Sequence, residues 1–250
     1  MKIAIVGAAG RMGKKLIELA PSEGLDVVAK VDIAEGYDRE WPSGTEGVID
    51  FSFHTGVPAF AEKAAAEGIP YVIGTTGLTP EEQARVDAVC AKIPLVQSGN
   101  YSLGVNLLLQ LVKEAAATLD AQYDIEVVEM HHRHKKDAPS GTALMLAKSA
   151  AEGRGISPST SSLQPPTFVY GRAGETGERP VGEIAIHALR GGSVVGDHTV
   201  MFAGELERVE ITHRAQDRAA FAAGALKALK WAKSQAPGKY TMRDVLGFNR

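Results

Sequence analysis

The stretch Lys2-Ile3-Ala4-Ile5-Val6-Gly7-Ala8-Ala9-Gly10-Arg11-Met12-Gly13 decides the fold. Ile3 to Val6 is a short, wholly apolar run, the pattern of a strand buried on both faces. It leads straight into Gly7-x-x-Gly10-x-x-Gly13, after which Arg11 to Ala20 reads as a helix and Asp26 to Val31 as a second, β-branched strand. In such a βαβ unit the glycines have a physical purpose. Without a Cβ the turn tightens and the backbone can approach a pyrophosphate, while the helix N-terminus offers N–H groups and partial positive charge. A plain turn is the alternative reading of three glycines, and here two residues, not one, separate the first pair.

Working outward, Asp32 ends the second strand near the spacing of the acid that accepts the adenosine ribose hydroxyls. A carboxylate there repels a 2′-phosphate and favours NADH, whereas Arg11, Lys14 and Lys15 are cations able to neutralise one. The alternation continues with strands at Gly47 to Ser52, Pro70 to Ile73 and Pro94 to Gln97, and helices at Val57 to Glu67 and Pro80 to Ala91. Short connections predict a parallel sheet covered on both faces. Gly74-Thr75-Thr76-Gly77 and Ser98-Gly99-Asn100-Tyr101 then follow strand ends, where open α/β sheets bind ligands, although each alone also reads as plain loop.

Beyond Ser102 the grammar changes. A helix from about Val105 to Leu119 precedes a strand at Tyr123 to Met130, a polar loop and a helix near Thr142 to Ala151. Glu152 to Gly182 is rich in Gly, Ser, Thr and Pro and reads as loop. Glu183 to Leu189, Ser193 to Phe202 and Arg208 to His213, separated by turn signals, read as an antiparallel sheet. A last helix spans about Asp217 to Lys233, attachable to either half. The expected fold is therefore α/β: a Rossmann-type parallel-sheet domain plus a smaller α+β domain with a mixed or antiparallel sheet.

Composition narrows the functions. Of 250 residues 44% are hydrophobic and 23% charged, and the formal charge of -3 provides no basic field for nucleic acid. The single Cys90 forms no intramolecular disulfide and reads as a small core residue in a reducing compartment. No apolar run approaches about 18 residues, and Met1 to Val6 runs into glycines instead of a cleavable segment. The expectation is a soluble, cytoplasmic protein with no membrane partner.

The most informative stretch is Glu129-Met130-His131-His132-Arg133-His134-Lys135-Lys136-Asp137-Ala138-Pro139-Ser140-Gly141-Thr142. Its run of bases makes a local field for an anion in a slightly acidic chain. His131 and Lys135, four apart, share a face in either a strand or a helix. Histidine suits proton donation near neutral pH, and a lysine ammonium pairs with a carboxylate or gives a proton itself. Ser140 is a natural N-cap, so the N–H groups of Gly141 and Thr142 would point at the same anion. A metal site of Glu129, His131, His132 and His134 is disfavoured, because adjacent histidines in an extended segment point apart and the flanking cations repel a metal. A solvated charge run is the other alternative.

With these residues in view the chain resembles the dihydrodipicolinate reductase family over essentially its whole length. The resemblance is carried by Val6 to Gly13, Ile49-Asp50-Phe51-Ser52, Gly74 to Gly77, Asn100 to Asn106, Glu129 to Thr142 and Ile211-Thr212-His213-Arg214-Ala215. It implies reduction of the dehydrated form of 4-hydroxy-tetrahydrodipicolinate, a small cyclic dicarboxylate, to tetrahydrodipicolinate in diaminopimelate and lysine biosynthesis, with hydride from NADH or NADPH. It implies that His131 and Lys135 are the proton donors. His132, Gly141 and Thr142 match the family's substrate positions, and with the cap Ser140 they are expected to bind substrate. By the same resemblance Gly7, Ala8, Ala9, Gly10, Arg11, Met12, Asp32, Gly74, Thr75, Thr76, Ser98, Gly99, Asn100 and Tyr101 are expected to bind cofactor; the residues themselves point to no metal. It also implies a homotetramer, and domains of residues 1–102 with 214–250 and of 103–213. Some relatives carry a base directly after the strand-end acid; here Ile33 follows Asp32, which points to NADH as favoured donor with residual use of NADPH. The competing readings are another nicotinamide oxidoreductase, of the homoserine or aspartate dehydrogenase kind, and a non-catalytic cofactor sensor.

Overall fold

The computed structural model describes residues 1–156 and 168–248. In chain order its elements begin with β1 (Lys2–Val6), α1 (Arg11–Leu19), a 3-10 turn (Ala20–Glu23), β2 (Asp26–Val31), β3 (Gly47–Asp50), α2 (Val57–Glu67), β4 (Tyr71–Ile73), α3 (Pro80–Val89) and β5 (Pro94–Gln97). There follow α4 (Leu103–Thr118), β6 (Asp124–His131), α5 (Gly141–Gly153), β7 (Phe168–Tyr170), β8 (Ile184–Arg190), β9 (Asp197–Ala203), β10 (Arg208–Arg214), α6 (Ala219–Ala232), β11 (Gly238–Tyr240) and α7 (Met242–Val245). Two compact units result, Met1–Leu103 with Arg218–Arg250, and Gly104–Asp217. No described helix is long and apolar enough to cross a membrane.

The first unit is the expected parallel sheet, in the order β11-β5-β4-β3-β1-β2. Period-two alternation divides its apolar strands between two cores. Ile3, Ile5, Ile49, Val72 and Val96 pack with Leu16 of α1 and Ala225, Leu226 and Leu229 of α6. Ala4, Val6, Val48, Tyr71, Ile73 and Leu95 pack with Val57 and Ala61 of α2 and Val86 of α3. Burial on both faces is why the middle of these strands is apolar, with polar residues at their ends, Lys2, Asp50 and Gln97. Replacing Ile5 or Ile49, both fully buried, by alanine would cost about 2–5 kcal/mol.

The second unit holds a mixed five-stranded sheet, β10-β9-β6-β8-β7, in which β9 is antiparallel to β6 and β10, while β8 is parallel to β6 and β7. Here one face is packed: Ile125 and Val127 of β6 meet Leu108 and Val112 of α4 and Leu146 and Ala147 of α5. Strict alternation along β6 puts Glu129 and His131 on that same buried side.

Several sequence expectations are corrected. The three late runs do not form one antiparallel sheet, because β6 lies between β8 and β9 and pairs with both. Consequently Arg190-Gly191-Gly192 closes no hairpin, and the strand expected from Ser193 starts only at Asp197. The loop expected over Glu152 to Gly182 contains the end of α5 and the edge strand β7; its residues 157–167 lie outside the described ones. The tail carries β11 and α7. β7 and β11 are three residues each and only partly buried, too short to display a period.

Candidate active site

In the parallel sheet the strands end in register. Val31, Val6, Asp50, Ile73 and Gln97 form one row across β2, β1, β3, β4 and β5. The next residues in the chain, Asp32, Gly7, Phe51, Gly74 and Ser98, therefore line one edge of the sheet. Thus the fold brings together the segments expected to bind cofactor.

At this edge Gly7 takes φ +79, and a Cβ there would stand 2.5 Å from Phe51 O. A Cβ on Gly13 would lie 2.2 Å from Gly7 O, so only glycine lets α1 start this close to the turn. Gly10 caps α1 without a side chain, and the first turn holds no acid to compete for an anion. Ala8 is buried; Arg11 is exposed and Met12 half-buried at the start of α1.

Asp32 receives Ala9 N on Oδ2 and Ala34 N on Oδ1, both at 3.0 Å, which fixes the carboxylate beside the glycine turn. A cavity of about 660 Å³ opens here, lined among others by Gly7, Gly10, Asp32, Ile33, Arg39 and Phe51. Arg39 escaped the sequence reading. Its Nη1 donates to Asp32 O at 2.7 Å, bringing charge to the neighbourhood where Ile33 has none. The cradle that any Cβ would fill, the helix start and the acid are together the shape and chemistry of a dinucleotide site.

Thr75 donates from Oγ1 toward Asp50 Oδ1 and Ser52 O, both at 3.3 Å. Asp50 is fully buried, accepts from Tyr71 OH and from Ser52 N, and ties two strand-end loops together. Burial pushes its carboxyl up, against those hydrogen bonds. Thr76 and Gly99 are exposed, while Ser98 Oγ donates to Asn100 O at 2.8 Å. Tyr101 turns inward, its hydroxyl within 2.6 Å of Ile73 O and 3.0 Å of Val96 O. Through its side chain Tyr101 is therefore a strut of the loop.

In the second unit the centre of the cationic loop is Glu129, which sequence reasoning had considered only as a metal ligand. Nothing of it is exposed. Its Oε2 lies 2.5 Å from His131 Nδ1, Arg190 donates to both oxygens at 2.9 and 2.8 Å, and Ser140 N donates to Oε1 at 3.0 Å. Burial raises the carboxyl, but these hydrogen bonds outweigh it and hold Glu129 at about 2. Glu129 and His131 two apart in a strand was the available signal. Arg190, 61 residues from Glu129, gave none.

His131 is the last residue of β6, mostly buried, its ring edge-on to His198 at 5.1 Å. His198 Nε2 and Ser140 Oγ share a hydrogen bond of 3.0 Å, and burial, then the charge of His131, lowers His198 to about 4. Regular structure stops at His131, so the shared-face argument for Lys135 does not apply. Lys135 stands in a turn, its N donating to His132 O, and its Nζ pairs with Asp137 Oδ2 at 2.9 Å. Its charge nonetheless reaches His198, as does that of His131. His132 N donates to Val194 O, and the His132 ring lies near that of His134, 6.2 Å away. No group of three or more His, Cys, Asp or Glu among the described residues is arranged for a metal ion.

Ser140 caps α5 as expected, its Oγ accepting from Ala143 N at 3.2 Å. Gly141 and Thr142 are the first residues of the helix, where backbone N–H groups have no intrahelical carbonyl. Among the described residues, nothing beyond the flanking residues and the helix's own backbone lies within 4 Å of where a Gly141 Cβ would be, which leaves this helix start open.

The chain matches the profile of dihydrodipicolinate reductase, N-terminus, over residues 1–101, and that of dihydrodipicolinate reductase, C-terminus, over 104–246. The 4-hydroxy-tetrahydrodipicolinate reductase of Caulobacter vibrioides is 49% identical over 259 residues, covering 100% of this chain and 98% of the relative. That of Rhodopseudomonas palustris (strain BisB18) is 44% identical over 272 residues, with 100% and 98% covered. In fold the chain is similar to a dipicolinate-bound dihydrodipicolinate reductase from Paenisporosarcina, at a TM-score of 0.75 and 23% identity, with 96% and 97% covered. By both profiles and these full-length relatives, the chain belongs to the dihydrodipicolinate reductase family, enzymes that use a pyridine nucleotide as reductant.

Proposed function

We propose that this chain reduces the dehydrated form of 4-hydroxy-tetrahydrodipicolinate to tetrahydrodipicolinate, in the diaminopimelate route to lysine, with His131 as the proton donor. When bound, NADH or NADPH supplies the hydride. A hydride added without a proton would leave an anion, so the site needs an acid. The observation that carries the reading is the pairing of His131 with a fully buried carboxylate, inside a loop of cations that ends on a helix start. Lys135, His132, Ser140, Gly141 and Thr142 supply the charge and donors that a planar dicarboxylate requires.

In this reading residues 1–102 and 214–250 form the cofactor domain, and 103–213 the substrate and oligomerisation domain. Gly7, Ala8, Ala9, Gly10, Arg11 and Met12 cradle the pyrophosphate and Asp32 accepts the ribose hydroxyls. Gly74, Thr75, Thr76, Ser98, Gly99, Asn100 and Tyr101 shape the nicotinamide end. NADH is the favoured donor because of Asp32, and NADPH is accepted with the help of Arg39. Exposed Tyr170, Leu189 and Val209 on the strands of the second sheet support assembly through that unit; the homotetramer and the cytoplasmic setting of this reading come from the family resemblance and the composition.

The test is oxidation of reduced nicotinamide by purified protein with 4-hydroxy-tetrahydrodipicolinate. Substrate-dependent oxidation is expected, falling by a few orders of magnitude, about 10²–10⁴-fold, in His131→Asn with cofactor affinity kept. A protein that oxidises no cofactor with this substrate, or a variant with wild-type turnover, contradicts the proposal.

A further inference from the structure

An ionised carboxylate accepts hydrogen bonds and donates none, so the 2.5 Å contact between Glu129 Oε2 and His131 Nδ1 requires the proton on Nδ1. Glu129 cannot swing away. Arg190 grips both its oxygens, and the same guanidinium donates to Asp137 O at 2.7 Å and Leu189 O at 2.6 Å, anchoring it to the loop and to its own strand. The other ring nitrogen is treated differently. His131 Nε2 has no hydrogen-bond partner among the described residues, and it faces Gly196, where an added Cβ would stand 3.0 Å from it. A side chain at 196 would crowd the His131 ring nitrogen that has no hydrogen-bond partner among the described residues.

We infer that Glu129, clamped by Arg190, is the positioning residue of the proton donor: it holds one His131 proton at Nδ1, so protons are delivered and reloaded only through Nε2. The inference rests on His131 being that donor. Protonated His131 carries a proton on each nitrogen. Giving up the Nε2 proton leaves the neutral Nδ1–H tautomer, which Glu129 still accepts from, and water restores the proton at Nε2. Orientation of a histidine by a buried carboxylate has a general precedent in hydrolytic triads.

The charges around the ring are consistent with this role. Glu129 from β6 is the nearest charge, its Oε2 2.5 Å from Nδ1. Arg190 of β8 is matched by Glu129, and Lys135 of the loop is matched by Asp137. From β9 and β10 come His198, which burial keeps neutral above about 4, Asp197 and His213.

Two measurements test the inference. The first is nitrogen-resolved NMR of the histidine rings in the wild-type protein, with His131 assigned by its loss in His131→Asn. Neutral His131 is expected as the Nδ1–H tautomer; an Nε2–H tautomer overturns the inference and needs no catalytic assay. The second is the pH profile of Glu129→Gln and Glu129→Asp. In Glu129→Gln kcat should fall on the order of 10–100-fold on the alkaline side. The alkaline limb should move to lower pH, KM should stay within about twofold, and Glu129→Asp should recover part of the rate. Equal loss at every pH, with an unmoved limb, means that Glu129 only supports the fold and overturns its positioning role. Should Glu129→Gln fail to fold, the wild-type tautomer decides. Wild-type turnover in His131→Asn would instead remove the donor reading itself, a result separable from either tautomer outcome.

Discussion

Arg190 holds the fully buried carboxylate of Glu129 through two parallel hydrogen bonds, Nη1 to Oε2 at 2.9 Å and Nη2 to Oε1 at 2.8 Å. Breaking a buried pair by deleting one partner strands the other charge, which costs about 3–5 kcal/mol. The Arg190 side chain keeps 20% of its surface in solvent, so the lower end applies. Arg190→Ala should therefore lower the melting temperature by about 10 °C, and Arg190→Lys, unable to form the fork, should recover less than half of that. A melting temperature within about 2 °C of wild type would mean that Glu129 finds other partners.

The same buried cluster makes stability depend on pH in two stages. His198 has its folded value depressed from 6.5 to about 4, so its stabilising contribution is complete above 6.5 and is lost as pH falls toward 4. Glu129, depressed from 4.5 to about 2, contributes fully above 4.5 and loses that contribution as pH falls toward 2. His213 is depressed in the same direction as His198, by burial. Melting temperature against pH should thus decline first below 6.5 and again below 4.5. In His198→Gln the upper decline should be reduced; an unaltered slope between 6.5 and 4 would place its origin in other groups.

What was legible in the sequence follows from how each feature is encoded. β1, β3, β4 and β5 are buried on both faces, so each carries an apolar run with at most a polar residue at its end, and the glycine turn after β1 is a local backbone requirement. Ser140 as a cap was legible for the same reason, since its partner, Ala143, is three residues away. Pairing between distant segments was not. β8 and β9 are neighbours in sequence and suggest a hairpin, but β6 pairs with both and separates them. Glu129 was visible, yet its role depends on Arg190 and on the buried position of the β6 end, and neither is a local property. Arg39 reaches Asp32 across a turn that follows no period.

Tyr71 and Asp50 give a prediction for the first unit. Tyr71 OH donates to Asp50, and both residues are wholly buried between β3 and β4. Tyr71→Phe leaves a buried acceptor with one partner fewer, at a cost of about 1–3 kcal/mol. Asp50 also holds Ser52 N and Thr75 Oγ1, so loss of its anchor should loosen the two strand-end loops. Reduced thermal stability together with weaker cofactor binding is expected, measured by melting and by fluorescence titration with NADH. Loss of stability alone would show that the loops keep their shape without this hydrogen bond.

Arg39 decides the last prediction. Its guanidinium donates to Asp32 O and lines the same cavity as Asp32 and the uncharged, 93% exposed Ile33. A guanidinium has donors to spare for a 2′-phosphate, whereas the Asp32 carboxylate is held by Ala9 N and Ala34 N whether or not Arg39 is present. Removing the cation should therefore affect the two cofactors unequally. Arg39→Ala is expected to raise KM for NADPH about tenfold, the equivalent of about 1.4 kcal/mol. KM for NADH should stay within about twofold, and kcat should be unchanged with either, because the proposed function assigns the nicotinamide end to the loops after β4 and β5, away from Arg39. Initial rates with each cofactor at saturating substrate measure this. Equal losses with both would show that Arg39 acts by supporting the Asp32 backbone, and no loss with either would remove it from cofactor recognition.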